Sequence, residues 1–481
     1  MKRQFLATAS FVALALGLPG AALAGNGTEV SVDNSANATN LTDIAVGVNA
    51  TATGADDPQL PGFYESALAE GTGADANGAY AVAVGAGAQA AGNATTALGS
   101  QARSTGDYAT SVGDSSLATG DFSSAFGRRS SASGTESSAF GFESSASGVG
   151  GSAFGAESVA SGDFSTAVGG ASVASAIGST AAGATASASG MFSTAYGSAS
   201  SASGEVSTAI GAGSSASGQQ SAAFGSQANA SGASSSAFGA NAQAAGPSAV
   251  ALGDSAQATQ DGAIAIGQNA ASTGVDAIAI GRGAVATGSV AVGVGAQASN
   301  GGAAYGDYAV ATGAQAAAFG YGATATGANS VAIGAGSVAS APNTVSVGSA
   351  GNERRITNVA AGVNPTDAAN VGQVQAAQSG VSDLRNFTVA AIDGVRADIR
   401  ATRKEARQGI AAAMAMASAP MPSKPGKISW ALNGASYKGE GAAGVSLAYR
   451  LDTNAPLMVH ASYGYGGGDS HGVRAGLAGE F

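Results

Sequence analysis

The sequence predicts a mainly β protein. It reads as a parallel β-roll (solenoid) head, a short coiled-coil stalk, and four C-terminal strands of a membrane β-barrel. Three observations predict this. A 14-residue repeat runs without a register error over residues 79–288. Apolar residues at spacings of three and four follow it, from Val374 to Ala406. Four segments of alternating apolar and small or polar residues then fill Lys427–Phe481.

Composition narrows the function classes. The 481 residues include 76 Gly, and only 10% are charged, so internal repeats are the first thing to look for. The formal net charge of −11 argues against nucleic acid as a partner, because phosphate backbones require clustered Lys and Arg. With no cysteine, disulfides and thiolate metal sites are excluded. The two histidines, His460 and His471, both fall near the C-terminus.

Residues 1–24 read as a signal peptide. Lys2 and Arg3 precede an apolar stretch, and Ala22-Leu23-Ala24 provides a small-residue cleavage site. Pro19 and Gly20 interrupt the run, which weakens a transmembrane-helix reading. The rest of the chain holds no other long apolar run, so any membrane anchoring must come from strands.

The repeat has fine structure. Every seventh residue from Gly85 to Gly288 is glycine, except Ala176 and Gln260. Two residues before each of these positions stands Ala, or Ser at 104, 111 and 272. The residue immediately before alternates between large and small. The large set includes Val84, Phe126, Phe140, Phe154, Ile210, Phe224, Phe238, Ile266 and Ile280. The small set includes Ala91, Thr105, Thr119 and Ser133. The true period is therefore two heptads, giving one coil of two short strands and two glycine turns. Ala points inward, because so thin a roll has no room for more. The large residues form one apolar stripe, expected to be the core of a trimer. One large side chain per coil returns less than ordering the coil costs, so neighbouring coils and a covering surface must share the burden. A symmetric homo-oligomer burying its stripes together meets that need. Fifteen coils at about 4.8 Å each make a rod about 70 Å long.

The repeat has edges. One coil appears early, over 41–54, and an irregular insertion is expected over 55–78, with Pro58, Pro61, Phe63 and Tyr64. That insertion is a candidate ligand feature because its aromatics break the small-residue rule. The register slips at 289–293 and 301–306, resumes at Gly313, and ends near Gly348.

A charged, Asn-rich neck follows at 349–378. A stalk and pore helix is expected over 379–420. Its seam is Val374, Val381, Leu384, Thr388, Ala391, Val395, Ile399, Thr402 and Ala406. Arg396, Arg400, Arg403 and Arg407 make a second stripe, either a solvated face or a contact for lipid phosphates. The anchor is expected over 421–481. Its outward residues include Ile428, Trp430 and Leu432, then Val445, Leu447 and Tyr449, then Val459 and Tyr463, then Val473 and Leu477. His460 is expected to face the barrel interior. Four strands cannot close a barrel and open edges cannot sit in lipid, so three chains must supply twelve. The Ala-rich segment Ile410–Ala419 is thin enough to thread such a pore.

The Ser-x-Ala-x-Gly repeats, the neck RRITNVAAGVNPTDAANVGQVQA and the four terminal strands ending in Phe481 together resemble the YadA-like trimeric autotransporter adhesins. The resemblance implies a left-handed parallel β-roll head over 25–348 and an intertwined neck. It also implies a homotrimeric twelve-stranded barrel in outer-membrane lipid. Export of the head through that barrel, and recognition of Phe481 by the barrel-assembly machinery, belong to the same implication. In that family the form NSVAIGxxS is associated with extracellular-matrix ligands. Here it occurs in full once, at Asn329, Ser330, Val331, Ala332, Ile333, Gly334 and Ser337.

No catalytic chemistry emerges. Neither histidine lies in the repeats, which excludes a Ser-His-Asp triad there. Asp107, Asp114, Asp121 and Asp163 are too sporadic for a calcium-binding roll. The expectation is a non-enzymatic, cofactor-free surface adhesin binding a matrix or cell-surface ligand. The alternative is a structural coat or spacer without a defined receptor.

Overall fold

Nearly every coil is built around side chains no larger than serine, Asp43 and Thr95 being the larger buried ones in the solenoid. In the coil 123–136, Ser123, Ala125, Ser130 and Ala132 have no exposed surface. The computed structural model describes residues 28–30, 36–39, 43–54 and 66–480. The expected signal peptide, the insertion residues Pro58, Pro61, Phe63 and Tyr64, and Phe481 lie outside the described residues. The chain divides into two units between Arg354 and Arg355.

The first unit is the solenoid. Strands of three residues, such as Ser124–Phe126, alternate with strands of two, such as Ser131–Ala132. The former stack into one sheet of 23 strands and the latter into a second ladder of 22. Pairing is parallel and in register, with Ser124 beside Ser138, Ala125 beside Ala139 and Phe126 beside Phe140. The all-β solenoid reading holds, and so does the inward alanine. The sequence reading had placed only alanine inside, yet serine four residues before the glycine is buried too. In the column of Ser130 the hydroxyl finds a partner in the turn, where Ser130 Oγ donates to the Gly127 carbonyl at 2.9 Å, whereas Ser123 and Ser137 in the other column have none.

The glycine period has two physical causes, the first acting at both turns and the second at one. A Cβ on Gly127 would stand 2.3 Å from the carbonyl oxygen of Gly141 in the next coil. One on Gly134 would stand 2.1 Å from that of Gly148. The turn after each three-residue strand adds a second demand, since Gly127 has φ +133 and Gly141 +143. That region is nearly closed to side chains. Ala176 and Gln260 both fall in the other column, where φ is not positive. At Ala176 the backbone gives way, and its amide turns to Ser179 Oγ at 3.2 Å.

The stack absorbs irregular coils. Ile278 pairs with Val290 and Val290 with Ala303, so the two slips shorten single coils while alignment is kept. Ile44 pairs with Leu68 and Thr51 with Asp75 across the insertion. The irregular stretch is therefore shorter than 55–78, because Leu68–Glu70 and Asp75–Ala76 form a coil of their own. Glu70 hid it by taking an outward place that elsewhere holds a large apolar residue. A further coil precedes residue 41, with Thr28 beside Ile44 and Asn37 beside Thr51. Buried Asp43 accepts the Ala67 amide at 3.0 Å. In regular coils that amide goes to a turn carbonyl three residues back, as Ala81 does to Gly78.

Arg354 ends the solenoid. Its guanidinium donates to Ser337 Oγ at 2.8 Å, to the Val347 carbonyl at 2.7 Å, and to the Ala335 carbonyl. Those carbonyls belong to the last turns, which have no following coil to take them.

The second unit opens with a tight neck turn. Asp367 Oδ2 accepts the amides of Val363 and Asn364, each at 2.9 Å. These bonds, that of Asn364 foremost, hold the Asp367 carboxyl below its ordinary value. A capping box then starts the helix Val371–Ala415, with Gln373 N donating to Asn370 Oδ1 at 3.1 Å and Asn370 N to Gln373 Oε1 at 3.2 Å. The helix thus begins inside the segment expected as neck. It stops at Ala415, short of the expected Ala419, because the sheet takes over its carbonyls. Ser462 Oγ donates to Met416 O at 3.3 Å and Asn433 Nδ2 to Ala417 O at 3.1 Å. Four antiparallel strands follow in chain order: Ile428–Tyr437, Glu440–Arg450, Leu457–Tyr465 and His471–Gly479.

Two outcomes are expected. Gly127→Ala should cost about 1–3 kcal/mol more than Gly134→Ala, because only the former also forces a side chain into a glycine-only backbone region. Denaturant midpoints of the two variants of the whole chain measure this, and equal midpoints contradict the column assignment. The Asp367 contribution is present above the ordinary carboxylate range and is lost as pH falls through its lowered folded value. The protection of the Val363 and Asn364 amides, taken relative to the intrinsic exchange rate at each pH, should fall on acidification, and Asp367→Asn should flatten that response.

Candidate functional site

The solenoid presents two faces and two turn edges. On the three-residue-strand face, the residue before each odd glycine points out and stacks on its equivalent one coil away. Phe126 and Phe140 lie 4.7 Å apart, Phe140 and Phe154 5.1 Å, and Phe224 and Phe238 4.8 Å, all as parallel rings. Val84, Phe126, Phe140, Phe224, Ile266 and Ile280 are half-buried in a single chain, while Phe154, Ile210 and Phe238 are exposed. Stacking covers ring faces but leaves an apolar stripe open along this face, broken at Glu70.

The segment 329–337 is a coil like its neighbours. Ser330, Ala332 and Ser337 are buried inside it. Ser330 Oγ donates to Gly327 O at 2.7 Å, and Ser337 Oγ is held by Arg354. Asn329 sits in the turn with φ +56, and Val331 and Ile333 point outward in line with Ala317 and Phe319. Asn329, Val331 and Ile333 are the accessible side chains of the motif, beside the accessible turn Gly334–Gly336.

The two edges differ. At the turn after each three-residue strand, Arg129 pairs with Glu143 at 2.8 Å, and the Arg128 guanidinium sits 4.5 Å over the Phe142 ring. The other edge carries a feature that the repeat analysis missed. Tyr108, Phe122, Phe164 and Phe192 stand there with φ between +54 and +58, in the left-handed region. They are 57–69% exposed. Such a conformation costs a side chain about 1–2 kcal/mol, which stacking and packing must offset. Tyr108 and Phe122 stack 5.0 Å apart, and the rings of Phe164 and Phe192 lie over the bare turns of Gly150 and Gly178. The signal was available as the recurring triplet Gly-Asp-aromatic at 106–108, 120–122 and 162–164; the same triplet at 306–308 follows the three-residue strand Ala303–Tyr305 and lies on the other edge. Each of its aspartates binds an amide of the preceding coil. Asp107 takes Asn93 N at 2.9 Å, Asp121 takes Asp107 N at 3.0 Å, Asp163 takes Val149 N at 3.0 Å, and Asp307 takes Val294 N at 2.8 Å.

In the second unit the strands sort their residues as their alternation predicts. Trp430, Leu432, Leu447, Val459, Val473 and Leu477 are exposed on one side. Ser446, Ala448, His460 and Ser462 are buried on the other, beneath the end of the helix, where Ala411, Ala412 and Ala415 are also buried. Glycine makes room for that contact. A Cβ on Gly444 would lie 2.1 Å from Ala415 O, and one on Gly464 would lie 2.3 Å from Ala412 O. His460 lies on the helix side, with Nδ1 3.2 Å from Ser418 Oγ. The seam residues Val374, Val381, Leu384, Val395 and Ile399 remain exposed on the single helix. Among the described residues no helix is long and apolar enough to cross a membrane, which says nothing of strands. Among them, too, no group of three His, Asp or Glu could hold a metal ion.

Comparison with known proteins places these surfaces. The family model described as the YadA head domain repeat matches in overlapping copies between residues 65 and 350. The model described as the coiled stalk of trimeric autotransporter adhesin matches residues 355–397. Autotransporter adhesin BtaE of Brucella suis biovar 1 (strain 1330) is 36% identical over 110 residues, which cover 20% of this chain and 15% of that protein. The match thus spans a small part of the relative's length. A crystal structure of the collagen-binding domain of Yersinia adhesin YadA aligns over 40% of this chain and 85% of that one, at 28% identity and a TM-score of 0.21.

Proposed function

Because the chain belongs to the YadA-like trimeric autotransporter adhesins, we propose that three copies form an outer-membrane adhesin with its repeat head on the cell surface. The head attaches the cell to host or abiotic surfaces and to sister cells. Its ligand is an extracellular-matrix or cell-surface component. The C-terminal strands of three copies close one twelve-stranded barrel in outer-membrane lipid, which anchors the head and exports it. Residues 1–24 direct the chain across the inner membrane, and Phe481 is read by the barrel-assembly machinery.

One observation carries this reading. The terminal sheet has two free edges and an apolar outer side, with Trp430 and Leu432 exposed at 70% and 73%. Lipid offers unpaired strand edges no hydrogen bonds, so the sheet must be completed by other copies. The exposed head stripe and helix seam support the same threefold sharing.

Deleting residues 41–348 while keeping the anchor should abolish attachment of cells that display the protein. Attachment at the parental level would reject the adhesin reading. Changing Phe140 and Phe154 together to Asp should prevent the heads from associating, because three copies of each charge would meet in an apolar stripe. Sedimentation of the solubilised chain and head-specific crosslinking measure this.

A further inference from the structure

We propose that the turn edge carrying Tyr108, Phe122, Phe164 and Phe192 is a docking strip for an extended, lysine- or arginine-rich polypeptide. This rests on the adhesin reading and names the chemistry of its partner.

Charge complementarity identifies the occupant. Residues 25–348 contain 20 Asp and Glu against 4 Lys and Arg, a net charge of −16 for the head. Carboxylates stand beside three of the four rings along this one edge. Asp107 and Asp121 adjoin Tyr108 and Phe122, Asp163 adjoins Phe164, and Glu136 occupies one of the two turns between Phe122 and Phe164. In Asp107, Asp121 and Asp163 the oxygen Oδ1 holds a backbone amide. The negative charge of each remains at the surface beside a ring that is 57–69% exposed. A cation over an aromatic face with a carboxylate beside it is a favourable arrangement for ammonium or guanidinium groups.

A second copy of the chain fits this edge less well. The opposite stripe is apolar in nearly every coil, as a chain–chain contact requires. Here the rings are interrupted by Glu136, Gly150 and Gly178. A ladder of rings and charges spaced by whole coils suits a partner that lies along the rod and touches it at intervals.

The test uses the full chain in detergent and poly-L-lysine as probe. Asn tolerates the left-handed region, so the triple change Phe122→Asn, Phe164→Asn and Phe192→Asn removes the rings without straining the turns. Affinity should fall about ten- to hundredfold, with the salt dependence kept. Changing Asp107, Asp121 and Asp163 to Asn keeps the oxygens that hold the amides. It should remove much of the salt dependence, whereas Asp114→Asn, Glu157→Gln and Asp254→Asn on the opposite edge should change it little. Unchanged binding by the ring variant overturns the proposal, as do equal effects of the two charge sets. Dissociation of the ring variant into single chains also overturns it, since the edge is then a contact between copies. Loss of attachment on deleting the head, with ring variants that bind and attach normally, rejects this inference and leaves the adhesin reading standing.

Discussion

In the head, the place where a side chain on one turn glycine would stand is already filled by a carbonyl of the next coil. Gly127 meets Gly141 in this way, and Gly134 meets Gly148. The stack tightens to its strand spacing because the turns are bare in nearly every coil, Ala176 and Gln260 standing only in the column whose backbone can give way. Backbone hydrogen bonds then run the length of the rod, and the interior between the two sheets holds Ala and Ser almost throughout, with Thr95 and Asp43 the larger exceptions. The apolar residues have no room inside. They are forced outward as a stripe, and that stripe calls for partners. Small residues within and association without are two results of one packing distance.

The terminal sheet obeys the same logic on another scale. Gly444 and Gly464 let the helix backbone come against the strands. With that side filled by Ala411, Ala412 and Ala415, the apolar residues again face out. In both units the chain spends its smallest residues where backbones meet.

Much of this was legible in the sequence, because a repeated contact leaves a repeated residue. The glycine period, the inward alanine and the strand alternation are each set by one local requirement that recurs. The failures have equally local causes. The coil at 66–78 was hidden because Glu70 occupies an outward place, where the fold tolerates any side chain. The helix end at Ala415 depends on Ser462 and Asn433, which approach only after the sheet has formed. The aromatic turn edge was missed because an aromatic residue is an unfavoured occupant of a left-handed turn. Its triplet is plain once the turn geometry is known.

The shortened coils beginning near Ile278 and Val290 have a wider consequence. Alignment between neighbours survives a change in the length of the coil that joins them, so a coil has no address in the rod beyond its contacts. Whole units can be gained or lost in the gene by recombination between near-identical segments, and the product still stacks. The length of the solenoid is thus open to heredity as a count, adjusted in steps of one coil, without any new surface having to be invented.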